Sequence, residues 1–230
     1  MPRYGIEGRV VNPRMFLLGW ARQARVIGFS IAGSLLLATG AWAQVSFTVD
    51  TTEDGVDVSP GDGTCSTVAA PALPICTLRA AVMEANRAPY AGAIIILPAS
   101  VIPYTLKIFP DIADGEGKGD LNLDTPTGYP VPGPTLIVGD TAATTIIDAH
   151  GVDRILNVAA GRTVTLVDVS LINGKVGPSA VGGGISNAGT LTLARCTVDG
   201  NAANVGGGIY NSGNAGIESS TVSNNRAGTD

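Results

Sequence analysis

The sequence is poor in the residues on which most site chemistry depends. Its 230 residues include one histidine, His150, and three cysteines. No second Cys or His pair exists to complete a zinc site. There is no glycine-rich phosphate-binding loop and no nucleophile elbow. Basic residues are few: 14 Lys and Arg against 19 Asp and Glu, a net charge of −5. That balance excludes nucleic acid or an anionic membrane surface as the main partner. The apolar run Val26–Ala38 falls short of the roughly 20 residues that a membrane span needs. Aromatics are scarce and only one good helix candidate lies beyond that run, which excludes a helical bundle.

What is present begins with a leader. Val26–Ala38 follows Arg22 and Arg25 and precedes "ATGAWAQ", in which Ala41 and Ala43 stand at small-residue positions. This is the three-part pattern of a secretory signal spanning residues 1–43, cleaved after Ala43. A membrane anchor is the competing reading of the run. The stretch ahead of Met15 is longer than a signal needs, so either translation starts at Met15 or the basic region is extended. Removing residues 1–43 takes away five arginines and Glu7, leaving 9 basic and 18 acidic residues, a net charge of about −9.

In an exported chain, Cys65 and Cys76, close together in a Gly, Pro and Ser-rich segment, read as a local disulfide. Zinc is the alternative, against which the missing ligands count. Cys196 is left over and reads as a small buried side chain.

The strongest signal is a period. "GGGISNAG" from Gly182 returns as "GGGIYNSG" from Gly206. Laid over one another at an offset of 24, residues 182–205 and 206–229 agree at ten positions. Among these are Ile185 with Ile209, Asn187 with Asn211, and Asn201 with Asn225. The preceding unit joins at an offset of 27: "VTLVDVSLINGK" from Val164 lies over "LTLARCTVDGNA" from Leu191. Inside a unit, "TLTL" and "CTV" alternate apolar with polar, so each reads as a short strand burying one face. Three such strands in one unit make a coil that buries its apolar side chains only by stacking on the next.

The predicted fold is therefore all-β, a right-handed parallel β-helix. An antiparallel sandwich is the competing reading, but it gives no reason for a unit repeated at fixed length. Asn187, Asn211, Asn201 and Asn225 are predicted to form amide ladders, and Ile185 and Ile209 to stack inward. The glycines of "GGGI" are predicted to form a corner that side chains would block. "TLIVG", "TTIID" and "RILNV" carry a looser repeat upstream. "AIIILPA" and "YTLKI" read as the first coils, with room for five or six from Val45 onward. The helix candidate is Thr77–Ala88, amphipathic, with Thr77 at its N-cap and a place over the first coil's open end.

"CTLRAAVMEAN", Cys76–Asn86, followed by "GAIIILPA", resembles the CSLREA domain, an N-terminal module of exported bacterial repeat proteins. Cys76, Leu78, Arg79, Ala81, Ala85, Asn86, Ile94, Ile96, Leu97 and Pro98 hold its pattern, and "GDLNL" and "TTIIDAHGVDR" also look like this family. The "GGGI" and "VSNN" phrases are similar to repeats of autotransporter passengers of the polymorphic outer-membrane type. Thr77 replaces the family's Ser and Ala80 its Glu, so half of a capping box is lost, at about 0.5–1 kcal/mol. A glutamate that alanine can replace is structural in the family. The resemblance implies a cap module over residues 44–110 and coils over 111–230. No cap follows Thr229, so the coils are expected to be truncated at the C-terminal end, where an open strand edge invites pairing.

β-Helix folds also host polysaccharide lyases and hydrolases, which need acids with a base, or paired carboxylates, in one groove. Asp148, His150, Asp153, Arg154 and Asp168 are the candidates. Asp148 and Asp168 are separated by nearly one coil, so they could stack on one face. Each has a structural alternative, since "DAHGVDR" has the composition of a turn. The loop Asp111–Asp124 carries Asp111, Asp114, Glu116, Asp120 and Asp124, an acid and glycine alternation that can wrap Ca²⁺, although it lacks EF-hand spacing. No other cofactor is implied. These readings lead to an exported extracellular or cell-surface module, adhesin-like or carbohydrate-binding, with no membrane span in the mature chain. Its partner is a polysaccharide or a host-surface ligand. A polysaccharide lyase or hydrolase on the same fold, or a structural spacer, are the alternatives.

Overall fold

In a computed structural model the described residues are 44–69, 71–87, 92–110 and 119–228. The leader, its cleavage site and residues 111–118 of the acidic loop lie outside them.

Strand β1 (Val45–Thr48) is followed by a disulfide-closed loop and helix α1 (Leu78–Arg87). The chain then repeats one itinerary. The first round is β2 (Ala93–Ile96), β3 (Tyr104–Thr105) and β4 (Leu121–Leu123). The second is β5 (Thr135–Val138), β6 (Ile146–Asp148) and β7 (Leu156–Val158). The third is β8 (Thr163–Val167), β9 (Ser170–Ile172) and β10 (Ile185–Asn187). Next come β11 (Thr190–Ala194), β12 (Thr197–Asp199), β13 (Ala202–Ala203) and β14 (Ile209–Asn211). The last are β15 (Asn214–Glu218), β16 (Thr221–Ser223) and β17 (Arg226–Ala227).

Equivalent strands pair in parallel and build three long sheets. The first runs β1-β2-β5-β8-β11-β15, the second β3-β6-β9-β12-β16, and the third β4-β7-β10-β14. Among the described residues this is a parallel β-helix with one short helix near its start, the fold class that the repeat predicts. Along the first sheet the register steps shorten toward the later coils. Val45 pairs with Ala93, Ala93 with Thr135, and Thr135 with Val164. Val164 then pairs with Leu191, and Leu191 with Ala215. Each of these steps along the numbering is shorter than the one before it. The early excess is α1 with its loop, and then the acidic loop.

The core is a set of inward columns. Phe47, Ile95, Ile137, Leu166 and Leu193 stack along the first sheet, and all are buried. Tyr104, Ile147, Leu171 and Val198 do so along the second, and Leu121, Leu156 and Ile185 along the third. Burying each large aliphatic contributes about 1.5–3 kcal/mol. The last round continues the columns with Ile217 and Val222, which are 49% and 48% exposed.

Helix α1 follows the predicted span as far as Arg87, with Thr77 outside it as the cap and Ala88 outside the described residues. Thr77 Oγ1 accepts the Ala80 N–H at 3.1 Å and donates to Gly55 O at 2.6 Å, so one hydroxyl caps the helix and ties it to the preceding loop. Ala80 is buried.

Candidate functional site

The corners explain most of the polar residues. Where the first sheet turns into the second, Asp168, Arg195 and Ser219 all take left-handed backbone, with φ of 57°, 55° and 49°. They occupy equivalent places, because Val167, Ala194 and Glu218 pair just before them. Arg195 donates to both Asp168 oxygens, at 2.7 and 2.6 Å. That bond holds the guanidinium above its ordinary pKa.

At the "GGGI" corner only the first glycine of each triplet needs positive φ, 67° at Gly182 and 64° at Gly206. The second and third need the absence of a side chain. A Cβ at Gly183 would collide with Ala202 O, and one at Gly207 with Arg226 O. Beside these corners Asn187 Nδ2 donates to Asn211 Oδ1 at 2.6 Å, and Asn201 Nδ2 to Asn225 Oδ1 at 3.0 Å. Asn201 Oδ1 also accepts Gly174 N–H at 2.7 Å, so each amide ties one coil to its neighbour. Ile185 pairs with Ile209 between them.

The candidate acid–base residues are dispersed among separate partners. The register puts Ile172, not Asp168, beside Asp148, because the coil there is longer than the separation of the two acids. Asp148 Oδ1 accepts the His150 N–H at 2.7 Å and Asn173 Nδ2 at 3.0 Å, while His150 Nδ1 lies 3.7 Å from Oδ2. Asp148 and His150 are thus brought together, at a left-handed turn. Asp153 Oδ1 accepts the Arg154 N–H at 2.7 Å. Arg154 reaches into another corner, donating to Asp120 Oδ2 at 2.7 Å and to Gly182 O at 3.0 Å. Asp168 is held by Arg195.

Of the calcium candidates, Asp111, Asp114 and Glu116 lie outside the described residues. Asp120 is buried and paired with Arg154, and Asp124 Oδ1 accepts Asn86 Nδ2 at 3.3 Å. Among the described residues no group of three His, Cys, Asp or Glu is placed to hold a metal ion.

The capped end holds charge that sequence reasoning did not locate. Arg79 is wholly buried. It donates to Asp54 Oδ1 at 2.7 Å and Oδ2 at 3.0 Å, and to the Gly119 and Asp120 carbonyls at 2.8 and 3.0 Å. Glu84, also buried, accepts the Gly61 and Gly63 N–H groups at 2.6 and 2.9 Å. Burial raises its pKa above the ordinary carboxyl value, and those two N–H bonds oppose the rise. Both residues lie in the helix, where amphipathicity identifies a buried face but not the partners, which come from a distant loop.

Cys65 and Cys76 form the disulfide that closes this region. Cys196 is a buried free thiol, pushed up in pKa by burial. Asp50 is bound to the disulfide segment both ways: its N–H donates to Cys76 O at 3.1 Å, and its Oδ1 accepts the Cys76 N–H at 3.1 Å.

Beside Asp50, where β1 and β2 end, lies an open cleft of about 370 Å³. Asp50, Thr51 and Ser100 line it together with Pro98, Ile102 and Tyr104. The Tyr104 hydroxyl donates to Pro98 O at 2.6 Å, and burial raises its pKa. The outer faces of the coils are otherwise rich in uncharged polar groups. Thr163 and Thr165 pair with Thr190 and Thr192 on the first sheet. No helix among the described residues is long and apolar enough to cross a membrane.

No protein-family model, no curated protein and no solved structure matches this chain.

Proposed function

We propose that this chain is an exported β-helix module of the CSLREA type that binds a glycan at the cell surface or outside the cell and does not cleave it. One observation carries the reading. Among the described residues, the leading acid and base candidates are engaged in separate structural bonds: Asp168 with Arg195, Arg154 with Asp120, Asp148 with Asn173. A glycosidase needs two carboxyls across one bond, and an eliminating enzyme needs a base beside its acids. What the surface offers instead is hydroxyl and amide groups on a rigid scaffold, the equipment of recognition.

Export is supported by the leader pattern of residues 1–43 and by the Cys65–Cys76 disulfide, a bond that persists in oxidising compartments. The CSLREA reading is supported by what its motif residues do. Cys76 forms the disulfide, Leu78 and Ala81 enter the core, and Arg79 anchors the helix.

The test pairs glycan-array binding of residues 44–230 with an assay for new reducing or unsaturated chain ends on the same polysaccharides. Binding without new ends is the expected result. Cleavage lost in Asp148→Asn or Arg154→Ala would establish the enzyme reading instead.

A further inference from the structure

The cleft beside Asp50 is a built site, and its chemistry selects a ligand. Resting on the glycan-binding reading, we infer that it takes a neutral sugar residue, with Asp50, Thr51 and Ser100 as the polar contacts and Ile102 with Pro98 as the apolar wall.

Hydrogen-bond direction is the first argument. Ser100 Oγ accepts the Ile102 N–H at 3.2 Å, and Thr51 Oγ1 accepts the Glu53 N–H at 3.3 Å. Each hydroxyl is oriented by an incoming bond and keeps its own proton to donate outward. Asp50 commits Oδ1 to Cys76, which leaves Oδ2 as an acceptor toward the cleft. Two donors and one charged acceptor around a small opening match adjacent sugar hydroxyls, each of which donates and accepts. Ile102 is 57% exposed and, with Pro98, gives a surface for the C–H face of a ring. The volume, about 370 Å³, lies at the lower end of ligand sites, which run about 300–1,000 Å³.

Charge decides the class. Among the described residues no basic one lines the cleft, and the charged group in its lining is the Asp50 carboxylate. Glu53 stands beside Thr51, and Lys107 nearby is occupied with it at 3.5 Å. Uronate and sulfated sugars meet a like charge here, and neutral ones do not. Position is the last argument. Asp50 is held reciprocally by Cys76, so the disulfide fixes the acceptor, and the Tyr104 hydroxyl ties down Pro98 in the lining.

The experiment titrates residues 44–230 with neutral gluco- and manno-oligosaccharides, and with oligogalacturonates of equal length. Wild type, Asp50→Asn, Ser100→Ala and Ile102→Ser are compared by calorimetry. Asparagine keeps an oxygen for the Cys76 N–H, so Asp50→Asn retains the local fold, which circular dichroism and disulfide mapping check. The expected result is saturable binding of a neutral oligosaccharide that weakens about tenfold or more in Asp50→Asn, as loss of a charged hydrogen bond implies. Ser100→Ala and Ile102→Ser weaken it by smaller factors. Equal or tighter binding of the oligogalacturonate overturns the neutral class. Neutral binding unchanged in all three variants overturns the cleft as the site and leaves the glycan-binding function standing. No binding of any glycan overturns both.

Discussion

The two ends of this β-helix solve the same stacking problem by different means. In the coils from Thr163 onward, strands pair with their equivalents one repeat away, and the bonds between coils join equivalents such as Asn187 to Asn211. At the capped end the polar ties are not copied from coil to coil. Arg79 is tied to Asp54 and Glu84 to Gly61 and Gly63, while a disulfide closes the loop between them. A repeated coil is stabilised by like groups in register, each contributing little. The first described strands satisfy their surroundings with a helix and unlike partners, each buried and individually costly to lose.

The sharpest way to break that contrast is at the two arginines. Arg79→Ala strands a buried carboxylate and two carbonyls, and is expected to cost about 3–5 kcal/mol. Arg195→Ala removes a pair that is 37% exposed on the arginine side, and is expected to cost at most about 1 kcal/mol. Urea denaturation of both variants checks the ratio; equal losses would show that the cap is no more dependent on its ion pair than a corner is.

The disulfide comes next. Replacing Cys65 and Cys76 by serine frees a short loop and is expected to cost about 2–4 kcal/mol. Hydrogen exchange should show the loss concentrated in the loop and α1, with the coils beyond Thr163 still protected. Uniform deprotection would contradict separate modes of stabilisation.

Within the coils, Asn187→Ala leaves the Gly189 N–H and the Asn214 carbonyl without their side-chain partner, at about 1–3 kcal/mol. Asn211→Ala, on the exposed last round, should cost less. Thermal unfolding of the two variants measures the gradient along the ladder.

The smallest effect is electrostatic. Burial raises Glu84 above its unfolded value, so the native protein binds this proton more tightly than the unfolded chain. That contribution is fully present below about pH 4.5 and is lost as pH rises through the raised value. Glu84→Gln should remove this slope from the stability profile. Parallel profiles for wild type and variant would mean that the two N–H bonds cancel the cost of burial.

Much of the coil region was legible because its physics is periodic. Ten identities at one offset establish which residues are equivalent, and equivalence in a stacked coil means contact. The helix and its cap were legible from local spacing. The candidate site was not. Asp148 and Asp168 looked stackable from their separation, but the coil there is longer than that separation, so Asp148 pairs with Ile172 and Asp168 falls at a corner.

Spacing along the chain was enough to establish the repeat and the inward columns, since both follow from position, and with the exported context it pointed to the Cys65–Cys76 bond. The pairings at the cap were settled only when the chain folded. Arg79 meets Asp54 and Asp120, and Asp50 meets Cys76 beside Ser100, through loops of irregular length. Contacts of that kind depend on where the chain returns in space, which no local pattern encodes.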